Sequence, residues 1–161
     1  MRLKDWDYNS DGMYFITICT VGKKHILSKI RVGGGVLDAP FIELTEYGRV
    51  IDEQVKIMND IYENINVGHY VIMPNHIHMI IEIKNAGGTS GRPSPTRENS
   101  LISQYISTFK RFTNKKCGID LWQRSYYDHI IRNETDYMEK VEYILTNPAK
   151  WRDDEYYSKI L

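Results

Sequence analysis

Two β-rich runs, Ile65–Met73 and His76–Ile83, stand on either side of one Pro74-Asn75 pair near the middle of the chain. A proline followed by asparagine between such runs is a tight-turn signal, so the stretch reads as a β-hairpin. An isolated two-stranded hairpin is marginal in water, so the rest of the chain must supply further strands or helices to cover it.

Upstream, Met13–Thr20 is β-branched and aromatic and reads as a strand. Val32–Pro40, with Gly33-Gly34-Gly35 and Asp38-Ala39-Pro40, reads as a loop. From Thr45, an N-cap residue, apolar side chains recur at Tyr47, Val50, Ile51, Val55 and Met58, which is helical spacing. Downstream, Lys84–Asn99 is dominated by Gly, Ser, Pro and Thr, and loops of that length are usually functional or disordered. A second helix carries Leu101, Ile102, Tyr105, Ile106, Phe109 and Phe112 on one face. Leu121–Ile131 reads as a strand, and Glu134–Thr146 as a helix that Pro148 ends. The order β-α-β-β-α-β is that of a ferredoxin-like α+β sandwich with an antiparallel sheet, here with an added C-terminal helix.

At 161 residues the chain fits one domain, 1–161. No apolar run approaches a membrane span, and the first residues lack the hydrophobic stretch of a signal peptide, so a cytoplasmic soluble protein is expected. Cys19 and Cys117 are too few for a disulfide scaffold or a cysteine zinc site. Neither glycine-rich segment ends in the GK[ST] of a phosphate loop. Basic and acidic residues number 21 each, which taken whole argues against a nucleic-acid partner. The balance is uneven along the chain: residues 1–37 carry +3, 38–83 carry −6, 84–132 carry +6 and 133–161 carry −3.

His76 and His78 open the third strand with one residue between them, which puts both imidazoles on one side of the strand, roughly 6–7 Å apart. That suits two ligands of one metal ion, and it equally suits two histidines hydrogen-bonded or solvated at a strand edge. On the last helix, with Val141 at 0° and about 100° per residue, Tyr137, Met138, Ile144 and Leu145 fall within about 60° and form an apolar stripe. Tyr143 at about 200° and Asn147 at about 240° lie outside it, one turn apart on a common face. A tyrosine turned from the packing face, with a carboxamide four residues on, is what a nucleophile beside a metal ligand would look like; a surface tyrosine packed flat on a neighbour has the same pattern.

The segments GHYVIMPNHIHMIIEI, SLISQYISTFKRF, LWQRSYYDHIIRNETDY and VEYILTNPAKW resemble single-tyrosine HUH transposases, closest to the REP-associated tyrosine branch, from about Trp6 to Trp151. The resemblance implies metal-dependent cleavage and rejoining of single-stranded DNA, probed most naturally with hairpins or palindromic repeats. It implies His76 and His78 as metal ligands, Asn147 as the third protein ligand and Tyr143 as the nucleophile, with Mg²⁺ or Mn²⁺ as the divalent metal. A phenol with an ordinary pKa near 10 needs such assistance to attack at neutral pH. The resemblance leaves both a single copy and a homodimer open, with Tyr143 working beside its own histidines or a partner's.

Within the basic segment, Lys110, Arg111, Lys115 and Lys116 on the second helix, and Arg124 and Arg132 around Tyr126-Tyr127, combine charge with aromatic rings as DNA contacts do. They lie in sequence between the histidine pair and the tyrosine helix, where a strand could be held. His129 reads as structural. The neutral total predicts modest non-specific binding that fades quickly with salt. Two other classes compete with the strand transferase. A non-catalytic nucleic-acid-binding regulator on the same fold would bind hairpins without cutting them. A hydrolase of small phosphate esters would turn over free nucleotides with no tyrosine adduct.

Overall fold

The central hairpin forms as the sequence predicts, β4 (Ile65–Ile72) running into β5 (His76–Ile83). The Met73 N–H donates to the His76 carbonyl at 2.8 Å, which closes the turn over Pro74-Asn75. The structure is a computed structural model and describes residues 11–33, 35, 39–84 and 100–157. β1 (Gly12–Cys19) pairs antiparallel with β5 on one side and with β6 (Tyr127–Ile131) on the other, giving the sheet order β4-β5-β1-β6. The chain crosses from β1 to β4 through α1 (Glu46–Ile61) and from β5 to β6 through α2 (Leu101–Cys117), which is the expected ferredoxin-like arrangement. α3 (Glu134–Thr146) follows, with the bounds read from sequence.

Each helix start is locally encoded. The Thr45 side chain accepts from Gly48 N–H at 3.2 Å, Ser100 from Ser103 N–H at 3.1 Å, and Asn133 from Asp136 N–H at 2.8 Å. Gly48 is also required by contact, because a Cβ there would stand 2.1 Å from the Leu27 carbonyl oxygen. α2 ends at Gly118, whose φ of 71° is the left-handed value a helix C-cap uses.

Strand alternation divides the packing into two layers. Tyr14, Ile16 and Ile18 of β1 and Ile77, Met79, Ile81 and Ile83 of β5 face α1 and α2, in a core joined by Ile51, Val55, Met58, Ile102, Tyr105, Ile106 and Phe109. On the opposite face Phe15, Val71 and Ile80 meet Val141 and Ile144 of α3 and Trp151.

Four expectations are corrected. The expected element order lacks two strands, β2 (Ser28–Arg31) and β3 (Phe41–Leu44), which pair antiparallel on either side of Val32–Pro40 and at four residues each are too short to show a pattern. The last strand is only Tyr127–Ile131; Leu121 and Trp122 are buried apart from it, Trp122 bridging to Thr20. Phe112 is exposed, because the buried stripe of α2 continues from Phe109 to Thr113, whose hydroxyl donates to the Phe109 carbonyl and accepts from the Trp122 indole. On α3, Met138 and Leu145 are 56% and 68% exposed, so the packed arc is rotated away from them towards Tyr143 and Asn147. The Lys84–Asn99 insert lies, beyond Lys84, outside the described residues. Among the described residues no helix is long and apolar enough to cross a membrane.

Candidate active site

β5 places His76 and His78 on the face that α3 covers, and both are fully buried. Their Nε2 atoms stand 3.0 Å apart. Asn75 holds the first ring: its amide donates to the Tyr156 carbonyl at 2.8 Å, so its oxygen is the atom that accepts from His76 Nδ1 at 2.7 Å. This leaves the proton of His76 on Nδ1 and the Nε2 lone pair directed at His78. Thr17 of β1, opposite His78 in the ladder, bonds its Nδ1 at 2.7 Å. The Phe15 ring stacks on His78 with centroids 5.2 Å apart.

Burial pushes His76 down to about 4, against the pull of the Asp154 carboxylate, and holds His78 well below the ordinary imidazole range, with the His76 charge adding to it. Both rings are therefore neutral at pH 7, the form that ligates metals. With the His78 proton on Nδ1 as well, the two Nε2 atoms would offer their lone pairs to one cation between them.

The tyrosine helix and the chain after it complete the site. The Tyr143 ring meets His78 edge-on with centroids 5.1 Å apart, and its hydroxyl donates to Asp154 Oδ2 at 3.3 Å. Asn147 donates through Nδ2 to the same oxygen at 2.6 Å, while the Tyr156 N–H holds Oδ1 at 2.7 Å. Because that donation fixes the amide, Asn147 Oδ1 is left buried with no partner. Ligating atoms of His76, His78 and Asp154 all lie within 4.8 Å of one another. Two neutral imidazoles, a carboxylate and an orphaned amide oxygen are a donor set for a divalent ion, and the cluster is a possible metal site. Burial, then the Asp154 carboxylate, pushes the Tyr143 phenol well above its usual range. Beside it a cavity of about 270 Å³ opens between Tyr143, Asn147 and Lys150 on one side and Asp153, Asp154 and Glu155 on the other.

The structure thus brings His76, His78, Tyr143 and Asn147 together, with one change to the sequence argument. Asn147 is 2% exposed and Tyr143 half-buried, so their face of α3 is a covered one. What covers it is polar and aromatic (Phe15, His78 and the returning Asp154), which an apolar stripe cannot reveal. Asp154 itself was legible only as part of an acidic run in a negative tail. Tyr137, the other tyrosine of α3, stands away from the pair, 3.5 Å from His69 Nδ1. His129 pairs with Asp136 at 2.8 Å.

The basic residues are distributed otherwise than their sequence position suggests. α2 packs on the face of the sheet opposite the histidines, so Lys110, Arg111, Lys115 and Lys116 are not between them and α3. Both crossovers put their helix on one side, as right-handed β-α-β connections do, and that rule was available from the element order. Lys110 is committed to structure, its Nζ donating to the carbonyls of Gln123 at 2.8 Å and Arg124 at 3.1 Å. Arg111, Lys115, Lys116, Arg124 and Arg132 are exposed.

No family profile matches the chain. An uncharacterized protein of Haemophilus influenzae is 34% identical to it, over 98% of this chain and 91% of that one. A REP-associated tyrosine transposase of Escherichia coli K12 is 30% identical over 66% of this chain, a match that spans 56% of that protein's length. Among solved structures, a REP-associated tyrosine transposase bound to a REP hairpin superposes with a TM-score of 0.62 at 21% identity, covering 94% of this chain and 74% of that one; this likeness is one of fold.

Proposed function

We propose that the chain is a REP-associated tyrosine transposase, as its Escherichia coli relative and the superposing structure are named, and that it cleaves and rejoins single-stranded DNA at hairpin or palindromic repeats, acting as one endonuclease domain with Tyr143 as the nucleophile. The observation that carries this reading is the hydrogen bond from Tyr143 to Asp154, a carboxylate that also clusters with two neutral histidines. Nucleophile, proton acceptor and ion ligands converge at one place.

In the cleavage step the Tyr143 phenolic oxygen attacks the scissile phosphorus and its proton passes to Asp154. The P–O3′ bond breaks, the 5′ phosphate remains on Tyr143 and the 3′ oxygen leaves as a hydroxyl after taking a proton from water. Rejoining is the reverse, a 3′-hydroxyl displacing the tyrosine, so the bond energy is conserved and no nucleotide cofactor is consumed. His76, His78, Asp154 and the free Oδ1 of Asn147 would hold a divalent ion, Mg²⁺ or Mn²⁺, which when bound polarises the phosphate for in-line attack. Thr17 and Asn75 fix the ring orientations, and Asn147 keeps Asp154 within reach of Tyr143. Tyr143 meets His78 of its own chain, which supports catalysis by a single copy.

The test is a covalent adduct on a denaturing gel between the protein and a hairpin oligonucleotide with unpaired flanks, in Mn²⁺ or Mg²⁺. Adduct in the wild type and none in Tyr143→Phe is expected. Salt-sensitive hairpin binding with no adduct in either ion would favour the non-catalytic regulator instead. Mixing Tyr143→Phe with His78→Ala protein should restore nothing; recovered adduct would mean that two copies share the site.

A further inference from the structure

With α2 on the far side of the sheet, a strand lying at the histidines needs contacts from the site face, and two residues there are placed to supply them. α3 packs mainly over β4 and β5, and the β1–β6 half of the same face ends in an exposed residue, Tyr127, on the edge strand. In the ladder Tyr127 stands opposite Thr17, and Thr17 opposite His78. Residues directly opposite share a face, so Tyr127 lies on the histidine side, two strand spacings or roughly 10 Å from His78. Its ring is 47% exposed on an edge strand.

α3 presents Asp136, Lys140, Tyr143 and Asn147 as one stripe, at steps of four, three and four residues. Three contacts aim this stripe at the β1–β6 half. Asp136 binds His129 of β6, the Lys140 ammonium stands 5.7 Å from the centre of the Phe15 ring of β1, and the Tyr143 ring meets Phe15 edge-on. The Asp136 carboxylate nearest Lys140 is 3.9 Å away and already accepts from His129, so Lys140 is loosely held.

We propose that this strip is the binding track for one unpaired nucleotide beside the cleaved phosphate: the Tyr127 ring stacks on its base and Lys140 holds its backbone phosphate. This rests on the reading of the chain as a DNA-cleaving enzyme and adds to it the residues that select a single strand. A base inside a duplex already has both faces stacked, whereas an unpaired one can lie on an aromatic ring whatever its sequence. The span from His78 to Tyr127 is one that a nucleotide bridges between phosphate and base. The His129–Asp136 pair closes the strip at its far end.

Hairpin oligonucleotides with unpaired flanks, titrated by fluorescence anisotropy in a series of salt concentrations, test the track. Tyr127→Ala should weaken binding about tenfold and Tyr127→Phe should bind like the wild type. One abasic flank position should cost the wild type the same factor and cost Tyr127→Ala nothing. Lys140→Gln should flatten the slope of log affinity against log salt by about 0.7, the effect of one phosphate contact to a single strand, and Lys140→Arg should restore it. Both sites are solvent-accessible, and unchanged melting curves will show that the variants are folded. Wild-type affinity and slope in Tyr127→Ala and Lys140→Gln would overturn the track while leaving adduct formation intact. The predicted losses in a protein that forms no adduct would keep the track and overturn the cleavage reading. No hairpin binding by the wild type would overturn both.

Discussion

The two faces of the sheet are built from the same strands and along β5 are equally dry, yet they do opposite things. Ile77 and Met79 on one side of β5 are fully buried, and so are His76 and His78 on the other. On the α1–α2 face burial alone is stabilising, because methyl and methylene groups ask only for contact. On the α3 face every buried polar group needs a partner, and Thr17, Asn75, Asn147 and Asp154 provide them one by one. The one side-chain atom of that group left over, Asn147 Oδ1, sits where an ion would be held. A single strand can therefore serve as core and as site, provided that the polar side is fully organised.

Variants on neighbouring residues can break this comparison. The largest effect is expected from Tyr143→Phe, which should abolish the DNA adduct on denaturing gels while barely changing the melting temperature, since it removes one long hydrogen bond. Next, Ile16→Ala on the core side of β1 should cost about 2–5 kcal/mol in urea denaturation; a loss under 1 kcal/mol would mean that the α1–α2 face is loosely packed.

Acid should strain the site face. An unfolded histidine binds its proton near 6.5, but burial holds His76 at about 4. Between these values the unfolded chain takes up a proton that the folded chain refuses, so stability present above pH 6.5 is lost as pH falls, by about 3 kcal/mol from His76. Urea denaturation of chelator-treated protein from pH 7 to pH 4 should show the fall, and a shallower one in His76→Gln. Equal slopes would remove the case for a buried neutral pair.

Thr17→Val, one residue from Ile16 but facing the site, should change stability less than Ile16→Ala, yet lower Mn²⁺ affinity by calorimetry about 10–100-fold by freeing the His78 ring. The smallest effect is expected from Lys115→Gln combined with Lys116→Gln. Both lie behind the sheet, so adduct formation should change less than about twofold at moderate salt. A large loss would mean that DNA also runs around the α2 side.

How much of this was legible is clearest residue by residue. The cap Thr45 follows from a side chain that bonds three residues on, and the end of α3 from Pro148, whereas the caps Ser100 and Asn133 were supplied by the structure. The common side of His76 and His78 follows from the strand period. The inward turn of Asn147 was not legible, because the stripe argument assumes that a buried face is apolar and this one is covered by Phe15, His78 and Asp154. Nor was Asp154, since nothing in an acidic run says which carboxylate folds back.

By itself, then, the sequence determined the local geometry: the Pro74-Asn75 hairpin, the paired histidines, the helices with their caps, and a resemblance that named Tyr143. Only the tertiary structure decided on which side of the sheet each of these lies. Periodicity sets how residues face relative to one another within an element, whereas the side that meets a neighbour depends on crossovers and on contacts between distant parts of the chain. That is why the basic residues of α2, in a +6 segment adjacent in sequence to the tyrosine helix, came to lie behind the sheet, and why Lys140, in a net negative segment, faces the site.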